Sequence, residues 1–149
     1  MVAKFAGIGE TLEKRSDNAI TAVTGYFLLA SGTILLTSNG TNHATMWPAD
    51  ALILALLLKN DRASWPAVLM AGWMANLLAN AVTRDWAPGL IVYGGINMGQ
   101  TLLAAVLICR TGRCDNLLAD IGTVLRFVLY AGVIAPLLGA LAGTLATAL

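Results

Sequence analysis

Residues 127–149 read FVLYAGVIAPLLGALAGTLATAL, a run of 23 with no Asp, Glu, Lys or Arg. A helix of roughly 20 apolar residues crosses the ~30 Å hydrocarbon core of a bilayer. The run is therefore long enough to span a membrane by itself. Three more uncharged windows precede it, at residues 18–49, 63–83 and 86–109. Across the chain 58% of residues are hydrophobic and 11% charged, with a mean hydropathy of +0.75. Soluble domains are about a quarter charged. A soluble fold of this length has no interior large enough for so much apolar surface, so the bilayer acts as solvent.

The windows place spans at residues 20–38, 64–83, 89–109 and 127–146. The second expected span, residues 48–58, is short, about 16 Å of helix. It is read as a crossing or as a re-entrant half-helix, and the basic residues favour the crossing. With the N-terminus in the cytoplasm, Lys4, Lys14, Arg15, Lys59, Arg62, Arg110 and Arg113 fall on one side and Arg84 alone on the other. That is the positive-inside pattern. The expected fold is thus an all-α integral membrane protein, a polytopic bundle of about five transmembrane helices with a short second span. Residues 1–18 form a cytoplasmic lead-in, read as an interfacial amphipathic helix. The mixed charges there and the long apolar run behind them do not suit a cleaved signal peptide. Residues 117–126 are expected as an amphipathic helix on the inner face, with Arg126 anchoring the last span and Pro136 kinking it.

Composition excludes several functions. A net charge of +1 gives no nucleic-acid surface. One histidine, His43, and two cysteines, Cys109 and Cys114, are too few for a metal site or a disulfide framework. No nucleophile–base–acid set or phosphate loop can be assembled, so neither catalysis nor a cofactor is expected. The expected partners are the lipid bilayer, a membrane partner protein or a second copy of the chain, and a small-molecule signal.

Polar residues inside the spans are the informative ones. Gly72, Asn76 and Asn80 recur every four residues and share one helix face. Tyr93, Asn97 and Gln100 share another, together with Thr101. Amides in hydrocarbon are costly unless partnered, so both faces point into the bundle. They serve either as helix-to-helix hydrogen bonds or as the lining of a ligand or switch cavity. Asp50 is the acid well inside an apolar segment. At a helix centre it costs about 2.5–3.5 kcal/mol, whereas in a first turn it complements the helix dipole. With Trp47 and Asp50, these residues (Asn76, Asn80, Tyr93, Asn97 and Gln100) make up the candidate binding or switch set. Gly72, Gly95, Gly99, Gly139 and Gly143, with Pro136, are candidate packing positions. Trp65 and Trp86, like Arg126, are candidate interface anchors.

The order of these motifs carries a resemblance. Trp47-Pro48-Ala-Asp-Ala-Leu opens one helix, and Trp65-Pro66-Ala-Val-Leu-Met-Ala-Gly72-Trp-Met-Ala-Asn76 the next. Gly95-Ile-Asn97-Met-Gly-Gln100, Val124-Leu-Arg126-Phe and Ala135-Pro136-Leu-Leu-Gly follow. The chain resembles the first class of bacterial membrane-associated sensor domain, the MASE family, from about residue 44 onward. Trp47, Pro48, Pro66, Asn76, Asn97, Arg126 and Pro136 match its pattern. Asp50 and Ala51 stand where a small residue and a glycine are usual, and Gln100 where a glutamate is expected.

The resemblance implies a signal-input module in the bacterial inner membrane. Its outputs would be a histidine kinase or a cyclic-di-GMP enzyme. The family usually has about eight spans, so residues 19–149 are expected to be a partial sensor-like domain. A small transporter or substrate-capture subunit is the alternative, since proline-broken helices and mid-membrane polar residues suit it as well.

Overall fold

The computed structural model describes residues 2–37, 48–83, 87–111 and 120–148. Among these residues there are five helices and no strand. Helix α1 is Val2–Thr37, α2 is Ala49–Lys59, α3 is Trp65–Thr83 and α4 is Gly89–Thr111. Helix α5 runs without a break over Ile121–Ala148. Four segments are long and apolar enough to cross a membrane: Ser16–Thr37, Arg62–Thr83, Gly89–Arg110 and Ile121–Ala148. The chain is a polytopic α-helical membrane bundle.

The short α2 completes the expected five. Asn60, just beyond its end, accepts from Asn18 of α1 at 2.8 Å, and Asp50, in its first turn, accepts from Tyr26 of α1 at 2.9 Å. Later residues of α2 therefore meet earlier residues of α1, so the two run antiparallel. The 11 residues of α2 cover about 16 Å. The helix descends from mid-height of α1 to the end where Lys59 and Arg62 lie, and α3 climbs again from there. Residues 38–47, which precede it, lie outside the described residues.

Two expectations about helix limits change. The N-terminal lead-in is continuous with α1, because no proline or glycine pair interrupts Val2–Thr37. Within residues 117–126, helix starts at Ile121 and continues directly into the span. Asp120 caps it by accepting from the Thr123 amide at 2.9 Å and the Thr123 hydroxyl at 2.8 Å. Those bonds to the ionised form hold the Asp120 carboxyl below its ordinary range.

Small residues let the helices approach. Ala22, Tyr26, Ala30 and Ile34 bury one stripe of α1, and Ala75 and Ala79 bury a stripe of α3. Large apolar side chains point the other way. Leu36 is 87% exposed, and Leu35, Met74, Leu78, Val82 and Leu145 are also exposed. A surface of this kind is solvated by lipid tails.

The packing positions divide by environment. A methyl on Gly72 would stand 2.8 Å from Ile53 Cδ1 and 3.1 Å from Met98 Sδ, and one on Gly139 would overlap Gln100 Oε1. Gly95, Gly99 and Gly143 have no atom of the described residues within 4 Å of such a methyl. Trp65 also differs from its expected role as an interface anchor. It is 6% exposed, and its indole N–H donates to the Leu57 carbonyl at 2.8 Å and the Asn60 carbonyl at 3.3 Å. Those carbonyls lie at the end of α2, where intrahelical donors run out. The indole thus ties the α2–α3 corner, and the Arg62 guanidinium lies 5.6 Å from the ring centroid. Trp65→Phe is expected to loosen this corner by about 1 kcal/mol, measured as faster amide exchange over α2. Unchanged exchange would argue against the tie. Trp86 lies outside the described residues.

Candidate functional site

Four helices bring polar side chains to one place near mid-span. Tyr26 stands ten residues, about 15 Å, into the Ser16–Thr37 segment. Gln100 stands eleven residues into Gly89–Arg110. No lipid headgroup reaches this depth, so the groups must satisfy one another.

Asp50 is the focus. Its Oδ1 accepts from the Tyr26 hydroxyl of α1 at 2.9 Å, and its Oδ2 accepts from Gln100 Nε2 of α4 at 3.2 Å. The Tyr26 oxygen in turn accepts from Asn76 Nδ2 of α3 at 2.8 Å. Asn80 Nδ2 donates to the Asn76 carbonyl at 2.8 Å and to Asn76 Oδ1 at 3.2 Å. Every donor in the chain from Asn80 through Asn76 and Tyr26 points towards the carboxylate. Both oxygens of the Asp50 carboxyl thus accept from side chains of other helices. Asp50 lies in the first turn of α2.

A cavity of about 510 Å³ adjoins the carboxylate. Asp50, Leu54, Gln100 and Thr101 form one side, and Phe127, Ala131, Ala135 and Pro136 of α5 form the other. Its α5 wall is irregular because Pro136 has no N–H to donate. The chain answers with a π-helical stretch, Val128–Ile134, and the Ala135 N–H donates to the Tyr130 carbonyl. Short π-helical segments of this kind are frequent at functional sites.

The structure gathers part of the candidate set. Asp50, Asn76, Asn80 and Gln100 join in one network, as the four-residue spacing on α3 allows. Asn97 is half-buried and its carbonyl accepts from Thr101 at 2.8 Å. Its side chain makes no hydrogen bond among the described residues and stays outside the network. Tyr93 is 38% exposed, with its ring against Gly89 of its own first turn. Trp47 lies outside the described residues, as do His43, Arg113 and Cys114. Cys109 is disulfide-bonded, which its expected place on the reducing cytoplasmic side did not suggest. No group of His, Cys, Asp and Glu able to hold a metal occurs among the described residues.

Tyr26 is the functional candidate that sequence reasoning missed. It is fully buried and joins α1, α2 and α3. The available signal was its depth. Tyrosine prefers membrane interfaces, and a hydroxyl some 15 Å from either one needs a partner.

No curated protein and no solved structure matches the chain. The MASE1 family, a class of membrane-associated sensor domains found in signalling proteins, matches residues 18–149. That match takes in α1 from residue 18 onward, every later helix and the whole polar network, 132 of the 149 residues, and on it the chain belongs to the MASE1 family.

Proposed function

We propose that this chain is the membrane-embedded signal-input module of a bacterial signal-transduction protein, seated in the inner membrane and without catalysis of its own. Its output is a histidine kinase or a cyclic-di-GMP enzyme. Its partners are the bilayer, a membrane protein or second copy, and a small-molecule signal. The observation that carries this is the convergence of α1, α2, α3 and α4 on Asp50 beside a cavity walled by α5. A signal bound there touches α2, α4 and α5, and α1 and α3 are joined to it through the hydrogen bonds of Tyr26 and Asn76. It transmits only if it binds one helix arrangement better than another.

The test uses the intact receptor that carries this domain. Asp50→Asn keeps the shape but replaces one of the two acceptor oxygens on which Tyr26 and Gln100 converge. A coupling of 1–3 kcal/mol corresponds to about 5–150-fold. Output, measured as phosphoryl transfer or cyclic-di-GMP level, is expected to shift at least about 5-fold while membrane insertion is retained. Asn97→Leu probes the other half of the candidate set and is expected to change output less. Unaltered output from Asp50→Asn under all growth conditions would remove the cluster from the signalling path.

A further inference from the structure

We propose that the cavity walled by α2, α4 and α5 binds a neutral alcohol or phenol with an apolar body, its hydroxyl donating to the Ala131 carbonyl. The inference names a ligand class for the input site above and rests on that reading. It comes from a gap in the hydrogen bonding of the α5 backbone.

A helical carbonyl accepts from the amide four residues on in an α register, or five residues on in a π register. For Ala131 these are the amides of residues 135 and 136. The Ala135 N–H goes to Tyr130 instead, and Pro136 has no N–H. Ala131, Ala135 and Pro136 all line the cavity. The side-chain donors on the facing wall are directed elsewhere. Gln100 Nε2 donates to Asp50 at 3.2 Å, and the buried Thr101 hydroxyl donates to the Asn97 carbonyl at 2.8 Å. A carbonyl deprived of its helical donors is unfavourable in hydrocarbon unless something else donates to it.

A ligand that answers this group donates a hydrogen bond and carries no charge. The Ala131 carbonyl is uncharged, so the bond to it does not offset the cost of bringing an ion to mid-span. A hydroxyl supplies one donor, whereas an ether of the same shape has none. Leu54, Ala104, Phe127 and Val128 lie on the same wall, which calls for an apolar body. The volume of about 510 Å³ lies within the usual range of small-molecule sites. A body that fills the space between α5 and the facing α2 and α4, with its hydroxyl fixed on α5, favours one packing of the bundle over another.

The experiment uses the full chain in phosphatidylcholine nanodiscs, whose lipid has no hydrogen-bond donor. The probe is 2-phenylethanol, compared with its methyl ether and with 2-phenylethylammonium. Binding is read by saturation-transfer NMR against concentration in the lipid phase. Saturable binding of the alcohol, about fivefold tighter than that of the ether and tighter than that of the ion, is expected. The 13C resonance of the Ala131 carbonyl, observed through its bond to 15N-labelled Gly132, should move with the alcohol and stay in place with the ether.

Pro136→Ala returns an amide to α5. In a π register that amide donates to Ala131, and in an α register the Ala135 amide does so. The variant should therefore bind alcohol and ether about equally. The carbonyl resonance keeps the test decisive in the parent chain where the variant fails to fold. Equal binding of alcohol and ether by the parent would overturn the proposal, as would tighter binding of the ammonium. An undiminished preference for the alcohol in folded Pro136→Ala protein would overturn it too. If Asp50→Asn shifts receptor output yet the parent shows no preference for the alcohol, the ligand class fails and the input-module reading stands. If the alcohol binds as expected while neither it nor Asp50→Asn changes output, the site stands and the input-module reading fails.

Discussion

Tyr26→Ala is expected to destabilise the bundle by about 2–3 kcal/mol, the largest loss from any single truncation. Tyr26 is the bulkiest of the fully buried side chains, and its hydroxyl sits between Asn76 and Asp50. In soluble cores, removing a buried aromatic ring costs about 3–5 kcal/mol. Here the figure falls, because unfolded helices remain in hydrocarbon and lose no hydrophobic transfer energy. What remains is lost packing and the broken hydrogen bonds, those with Asp50 and Asn76 among them. Tyr26→Phe isolates the bonds. In membranes such bonds average about 0.6 kcal/mol with a ceiling near 1.7, so a loss of about 1 kcal/mol is expected. Reversible unfolding in mixed micelles measures both. An alanine variant as stable as the parent would show that Tyr26 is not at the centre of the packing.

Gly139→Leu is expected to cost about 1–3 kcal/mol, the usual range for overpacking. A Cβ at Gly139 would overlap Gln100 Oε1. Gln100 must then swing away, and its bond to Asp50 goes with it. The damage thus reaches the network as well as the α4–α5 contact. Two companions sharpen the test. Gly143→Leu, one turn on and facing open space, should stay within about 0.5 kcal/mol. Gln100→Ala in the Gly139→Leu background should recover part of the loss, giving a coupling of about 1 kcal/mol for residues in contact. Strict additivity would mean that Gln100 and Gly139 do not meet. A Gly143→Leu variant as damaged as Gly139→Leu would place a second chain against that face.

Much of this protein was readable before any contact was known. Uncharged windows between charged residues locate the four long apolar helices, because lipid admits no unpaired charge and a helix rises a constant 1.5 Å per residue. The four-residue spacing of Gly72, Asn76 and Asn80 likewise set them on one inward face. The family followed from the order of such motifs.

Which polar groups meet was decided only by tertiary structure. Hydrogen-bond partners depend on relative heights and rotations of different helices, and no helical period encodes those. Tyr26 and Asp50 lie 24 residues apart, and Asp50 and Gln100 lie 50 apart. The half-length of α2 sets the height of Asp50, and α5 alone brings Pro136 opposite it. Asn97, on the same predicted face as Gln100, was left outside the network because one turn of helix moved it past the level of Asp50. Local sequence determines each helix and its faces. The depth at which faces meet is a property of the packed bundle, and the cavity beside Asp50 exists only there.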